Sequence, residues 1–316
     1  MVKINYSEFV LSGLGCATSP DCYPEPYLKT PKNRKFMGSQ DHLAVCAAGR
    51  ALESAGLNSA LLGPEAGLFL AVGFIPFERA DIDALLDGSM DGGRISLRRF
   101  GTDGFSAVNP LLTFRCLPNM PAFHISSCFD VQGEYFVTYP GPGQFYAALE
   151  EAVYALDAGR ISIALVGAVA DQTNFLVSHH YQRLRPPVPP EDLRNGAGFL
   201  VLERAANNTT RNGPIHGRLR DLATTYLAHD PFTSELDPTE VFDGCPAPEG
   251  YFGAASLPIA LGRILDSARE TEACRERREI SPNSISALNP RTYLCRKTGR
   301  RFSLSPSEGE RAGERG

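Results

Sequence analysis

No uninterrupted apolar run of bilayer-spanning length occurs in the 316 residues, so no membrane-crossing helix is predicted. Positive charge is not in excess either. The formal net charge is −5, which gives no reason to expect nucleic-acid binding. Eight cysteines stand at positions 16, 22, 46, 116, 128, 245, 274 and 295, but none form a Cys-x-x-Cys pair and no histidine stands at ligand spacing. A zinc site is therefore not predicted, and no cofactor is implied. The cysteines read as small buried hydrophobes or free thiols in a reducing compartment. The opening residues, MVKINYSEFVLSGLG, are too interrupted by polar residues for a signal peptide, and a cytoplasmic location is expected. What is present is 43% hydrophobic, the composition of a globular chain with a sizeable core in one large or two smaller domains.

Apolar runs of strand length alternate with helical periods. FVLS (9–12) reads as a first strand, GLFLAVGF (67–74), RISIALVGAVA (160–170) and GAGFLVLERA (196–205) as buried strands, and 213–228 as one or two more. AFHISSCF (122–129) reads as a strand running into a turn. DHLAVCAAGRALESAG (41–56) has one apolar face, a first-turn acid in Asp41 and Gly56 as its stop. PLLTFRCL predicts a short helix. The Gly- and Asp-rich DGSMDGGRISLRRFGTDG predicts an exposed loop, and the four prolines of 184–192 an irregular connector. FGAASLPIALGRILDSARE (252–270) resumes as a helix. From about residue 271 the chain is rich in Arg and Ser and poor in aliphatics, so 271–316 is expected to be a disordered tail. The alternation predicts an α/β fold.

One stretch carries most of the functional question. GEYFVTYPGPGQFYAALEEA (133–152) begins with aromatic and β-branched residues suited to a strand. Pro140-Gly141-Pro142-Gly143 must then break regular structure, and helical spacing runs from Gln144 to a stop at Gly159. Such strand–turn–helix units hold nucleophiles in many enzymes, because the turn exposes a side chain at a helix N-terminus. This turn contains no Ser, Cys or Thr.

The order of segments resembles the β-ketoacyl synthase family. FVLSGLGCATSP is similar to that family's opening strand and Gly turn, and FMGSQDHLAVCAAGRALESAGL to its first long helix. NPLLTFRCLPNMPAFHISSCFDVQGEYFVT is similar to the run leading to its active-site turn. ALDAGRISIALVGAVAD is similar to the helix and strand beyond that turn, and RNGAGFLVLERA to the strand that closes the first half. The resemblance covers about residues 8–205. It implies a thiolase-like mixed sheet with layered helices, the first half complete (1–205), the second shortened (206–270), and the tail (271–316) outside the fold.

It also implies what is missing. In active ketosynthases the turn reads roughly Thr-Ala-Cys-Ser and the Cys attacks an acyl thioester. A gapless count from Gly133 puts Pro142 at that position, where the ring offers no nucleophilic atom. Gln144 stands two residues on, and chain length factors, the inactive partners of polyketide ketosynthases, carry a Gln in place of the Cys. Where the family's last catalytic His is expected, GCPAPEGYFGAAS has Gly250 or Tyr251, with no Lys upstream. Cys128 is the best substitute thiol, read more simply as a buried strand-end residue. His124 is a candidate for the pocket floor or a core histidine, and His179-His180 point in different directions. His229-Asp230 lacks a nucleophile to activate.

The resemblance implies a non-catalytic ketosynthase-like subunit of fatty-acid or polyketide-type biosynthesis. Its partner would be an active ketosynthase or a second copy as a dimer, with an acyl carrier protein as a further partner. YFVTY (135–139) is expected at the pairing edge. The alternatives are an acyltransferase or condensing enzyme using atypical residues, and a degenerate product without activity.

Overall fold

Strands whose residues are apolar on both faces need cover on both faces, and that requirement organises the molecule. The computed structural model describes residues 4–18, 22–57, 62–139, 144–183, 187–223, 250–263, 292–295 and 300–305. Its strands are β1 (Phe9–Thr18), β2 (Ala66–Val72), a small hairpin of β3 (Met90–Asp91) and β4 (Arg94–Ile95), β5 (Tyr135–Thr138), β6 (Ile163–Ala170), β7 (Gly196–Arg204), β8 (Gly217–Ala223), β9 (Thr292–Cys295) and β10 (Arg300–Ser305). Eight of them form one sheet in the order β5-β2-β6-β7-β1-β8-β10-β9. β5, β2 and β6 are parallel, and the remaining neighbours are antiparallel.

The helices are α1 (Ser39–Ser54), α2 (Arg79–Ser89), α3 (Leu97–Arg99), α4 (Phe105–Ala107), α5 (Leu112–Cys116), α6 (Met120–Phe129), α7 (Gln144–Asp157), α8 (Phe175–Gln182) and α9 (Ala205–Thr210), and residues 256–263 are also helical. Strand alternation divides the core. Leu68, Leu70, Val72, Leu165, Val169, Phe199 and Val201 face α1 and α6. Phe69, Ala71, Ala164, Val166, Leu200 and Leu202 face α7 and the 256–263 segment. Phe145, Ala148, Leu149, Ala152, Val153 and Leu156 of α7 are all almost fully buried, as their spacing predicts. Gly56 and Gly159, both left-handed, end α1 and α7 where the sequence places the stops.

α1 lies unusually close to β1. A Cβ on Gly15 would stand 2.2 Å from the Ala47 carbonyl oxygen, and one on Gly13 2.2 Å from that of Ala51. At the other end of α1 the Gly38 N–H donates to the Asp41 carboxylate at 2.7 Å, so the first-turn acid caps the helix.

Three expectations are corrected. AFHISSCF is not a strand but most of α6. Pro121 suits a first turn, and Pro121, Ala122, Ile125, Cys128 and Phe129 are buried at helical spacing. The Gly- and Asp-rich stretch is not a loop: α2, the β3–β4 hairpin and the helical run 97–107 occupy it, with Gly92 and Gly93 supplying the hairpin's positive φ. The tail is not wholly outside the fold, because β10 pairs with β8 and β9 with β10. Its local pattern accounts for this. RRFSLS alternates polar and apolar residues, TYLC is rich in strand formers, and β8 offers an edge for them to pair with. The rest of 271–316, with 224–249, lies outside the described residues.

Gly15→Val should destabilise the fold by about 3 kcal/mol or more, since the methyls meet helix backbone and not a movable side chain. Urea unfolding of the variant measures this. Deleting residues 290–316 should expose the β8 edge and raise self-association in light scattering, whereas a tail outside the sheet would leave the scattering unchanged.

Candidate functional site at the strand ends

Because β2, β5 and β6 are parallel and in register, with Ala71 opposite Thr138 and Ala168, the segments leaving their carboxyl ends converge. Open α/β sheets bind ligands at such ends. Phe74 comes after β2, Tyr139 after β5, and Asp171–Asn174 lead from β6 into α8. The Phe74 ring is the hub. Its centroid is 4.6 Å from that of His180, 5.9 Å from Tyr181 and 6.4 Å from Tyr139. Tyr181 in turn meets Tyr251 edge-on at 5.2 Å. Gln40, at the start of α1, fixes the hub's backbone by donating to the Phe74 carbonyl at 2.7 Å.

Tyr251, one of the two residues, with Gly250, that stand where the resemblance implies a catalytic His, is tied to the loop before β7. Its N–H donates to the Asp192 carbonyl at 2.6 Å and its carbonyl accepts from Arg194 N–H at 3.0 Å. Burial raises its phenol well above the ordinary range, and burial also raises Tyr181, so both stay protonated.

Beneath this cluster, on the α1 side, lies a cavity of about 150 Å³ lined by Gly38, Ser39, Asp81, Arg115, Cys116 and Asp171 among others. Its polar groups satisfy one another only in part, because Arg115 Nε and Asp171 Oδ1 are buried without a hydrogen-bond partner. Arg115 donates to Glu78 at 2.8 Å and Asp81 at 2.9 Å, and the Ser39 hydroxyl donates to Asp171. Cys116 is a described thiol at this end of the sheet. Burial pushes it up to about 11, so it is a thiol and not a thiolate near neutrality.

The sequence-derived candidates scatter. Gln144 opens α7 and accepts a hydrogen bond from the Thr138 hydroxyl at 2.6 Å, so it sits at the mouth of the turn. Pro142 lies outside the described residues, as does His229-Asp230. Cys128 is on α6, in the core on the α1 face, opposite α7. It lies toward the strand starts, since Val131, three residues on, bridges Gly63 just ahead of β2. Burial pushes its thiol up to about 11. His124 is also on α6, almost fully buried, with Nε2 3.8 Å from the Asp41 carboxylate. His179 is exposed while His180 packs on Phe74, so the two histidines do diverge. Phe74, Ser39, Asp171 and Tyr181 are not marked by the sequence pattern. Their only signal is position, immediately after an apolar run or at a helix start.

Burial holds the Asp41–His124 pair neutral: it raises Asp41 from 3.8 to about 7 and lowers His124 from 6.5 to about 4. The two act on stability with opposite sign. Between pH 4 and 7 the unfolded chain releases a proton that folded Asp41 keeps, so this contribution to stability declines as pH rises and is lost above about 7. Between 6.5 and 4 the unfolded chain takes up a proton that folded His124 refuses, so stability declines as pH falls. Asp41→Asn should therefore exceed the parent in stability by about 2–4 kcal/mol at pH 8, with the gain vanishing near pH 4. Urea titrations at the two pH values check this.

Comparison with known proteins places these features. Among curated proteins no sequence matches. A ketosynthase from module 6 of the bacillaene synthase of Bacillus subtilis 168 is 13% identical, covering 96% of this chain and 71% of its own, with a TM-score of 0.60. A type II polyketide ketosynthase, solved with its acyl carrier protein and bound to a hexaketide, is 15% identical over 69% of each chain at 0.55. The ishigamide ketosynthase/chain length factor is 21% identical over 70% of this chain and 64% of that one at 0.53. At such identities the likeness establishes the fold, a thiolase-like mixed sheet, and this chain spans 64–71% of those structures' length. No helix among the described residues is long and apolar enough to cross a membrane. The model of the β-ketoacyl synthase N-terminal domain matches residues 15–194, more than half of the sequence, and the chain belongs to the β-ketoacyl synthase family.

Proposed function

We propose that the chain is a non-catalytic β-ketoacyl synthase-like subunit of fatty-acid or polyketide-type biosynthesis that pairs with an active ketosynthase. The observation that carries this reading is the chemistry at the carboxyl ends of β2, β5 and β6. The turn between Tyr139 and Gln144 contains Pro and Gly only. Gly250 or Tyr251 stands where the resemblance expects a histidine, and the Tyr181 and Tyr251 phenols stay protonated. Attack on an acyl thioester needs an ionisable nucleophile, a proton-handling base and donors for the oxyanion, acting together. What the site offers instead is an aromatic cup beside a cavity whose Arg115 is ion-paired to Glu78 and Asp81 and whose Asp171 accepts from Ser39.

Pairing is supported by β5. It forms the outer edge of the sheet, its Tyr135 is 72% exposed, and it carries unpaired backbone groups on one side. An antiparallel partner strand would complete it, from a ketosynthase or from a second copy. The ishigamide structure is a ketosynthase/chain length factor, and the type II ketosynthase was solved with an acyl carrier protein. These are the classes of partner proposed here.

One observation favours an enzyme instead: Cys116 lines the cavity. Incubating the purified chain with acyl and malonyl thioesters, followed by mass spectrometry, separates the readings. No adduct is expected, and Pro142→Cys alone should remain inactive, because a lone thiol lacks its partners. A stable adduct on Cys116 or Cys128 would overturn the non-catalytic reading. Retention of a ketosynthase by the tagged chain is the positive expectation, and failure of every candidate partner to bind would leave a degenerate product as the better account.

A further inference from the structure

Between β2 and α6 the chain carries an apolar surface that nothing in the described fold covers. Residues 79–107, from α2 through the β3–β4 hairpin to α4, contribute no side chain to the hydrophobic core. Leu97 is 84% exposed, Phe105 71% and Ile95 60%, and Leu86 and Phe100 are also open to solvent. The cause is how this excursion packs on itself. A Cβ on Gly88 would stand 2.7 Å from the Gly104 Cα, so α2 crosses the helical run 97–107 backbone to backbone, and no large side chain fits at the crossing. The run widens to a π turn at Phe100–Gly104. The Ser96 N–H donates to the Ser89 carbonyl at 2.9 Å and Arg99 to the Met90 carbonyl at 2.5 Å, which braces the hairpin against the run. The apolar side chains are therefore displayed on a fixed frame.

We propose that residues 79–107 form a two-fold contact between two copies of this chain, separate from the β5 edge and going beyond the pairing assigned to it. The area fits. The exposed parts of the five apolar side chains amount to roughly 600 Å², at the top of what a monomer displays in one patch and near the roughly 800 Å² per partner of a stable interface.

The charges select a second copy. Asp83 and Asp87 of α2, Asp91, Arg94 and Arg98 are all exposed, and none of the five makes an ion pair among the described residues. A two-fold contact sets one part of a patch against a different part of its copy. Arg94 and Arg98 of each chain then meet Asp83 and Asp87 of the other, while the apolar side chains close between them. An anionic membrane is a poorer occupant. Residues 79–107 hold five acids against four arginines, so the basic excess that such a surface attracts is missing.

Sedimentation equilibrium on the full chain tests this. The parent is expected to self-associate. Leu97→Ser combined with Phe105→Ser should weaken that association at least tenfold without loss of fold, since both side chains are exposed. Charge reversal leaves the apolar side chains in place. Arg94→Glu with Arg98→Glu, and separately Asp83→Lys with Asp87→Lys, should each weaken self-association, whereas an equimolar mixture of the two variants should pair about as tightly as the parent. A monomeric parent overturns the proposal. So do variants that associate as the parent does, which places the contact elsewhere, and a mixture that stays unpaired. Binding to phosphatidylglycerol vesicles that Leu97→Ser and Phe105→Ser abolish, with the mass in solution unchanged, overturns it in favour of a membrane surface. Retention of a ketosynthase reads a different contact, so either proposal can fail without the other.

Discussion

The approach of α1 to β1 is the constraint on which the rest of the structure depends. Gly13 and Gly15 let helix backbone and strand backbone meet where any side chain would intrude. The small residues of α1, Ala44, Ala47, Ala48 and Ala51, are fully buried there. With the helix so deep, its first turn is set against the carboxyl ends of β2 and β6. Ser39 then reaches Asp171, Gln40 reaches the Phe74 carbonyl, and the Gly38 N–H is left to Asp41. Packing in the middle of the sheet thus fixes polar contacts at its end. A wider spacing would loosen each of them, because hydrogen bonds tolerate only a few tenths of an ångström.

Those contacts take up part of the polar chemistry that the strand ends offer, leaving Asp171 Oδ1 and both polar atoms of the Gln172 side chain buried without a hydrogen-bond partner. Arg115 is divided between Glu78 and Asp81, and Asp171 receives Ser39. Three further groups are pushed to neutrality by burial: Asp41 toward its acid form, His124 toward free imidazole, Cys116 toward its thiol. Desolvation dominates each shift, and desolvation alone always favours the uncharged form. An active nucleophilic site works the other way, with a neighbouring charge or dipole stabilising the ionised nucleophile. The strand ends therefore hold shape and apolar surface better than they hold reactive charge.

The parts of this architecture that are legible in the sequence are those where one local cause suffices. β2, β6 and β7 are buried on both faces and so are written as continuous apolar runs, and α7 is bounded by a forced break and by Gly159. α6 reads wrongly as a strand because an eight-residue apolar run with two serines supports either period, and what decides it is packing against α1. The hairpin in the tail is hidden because its pairing with β8 is a distant contact that a poor composition conceals. The site divides in the same way. Gln144 stands out beside its turn, whereas Phe74, Asp171 and Tyr251 come from three separate loops that only the strand register brings together.

Cover for the opposite face of the sheet comes from beyond the first half. Residues 250–263 close the α7 face. A Cβ on Gly198 would stand 2.8 Å from the Ile259 nitrogen, so the helical segment lies on β7 as closely as side chains permit. Phe252, Ala255, Leu257, Ile259 and Leu261 join the core there. Without that cover Leu200 and Leu202 would face water, at about 25 cal/mol for each Å² exposed. The segment can seat only if its start is held, and Tyr251 does this through backbone bonds to Asp192 and Arg194 while its ring abuts Tyr181. Tyr251 is thus tied to the fold twice, once as the anchor of the covering helix and once as a wall of the aromatic cup. A histidine in its place would keep the backbone bonds but exchange the buried phenol for a smaller, titratable ring.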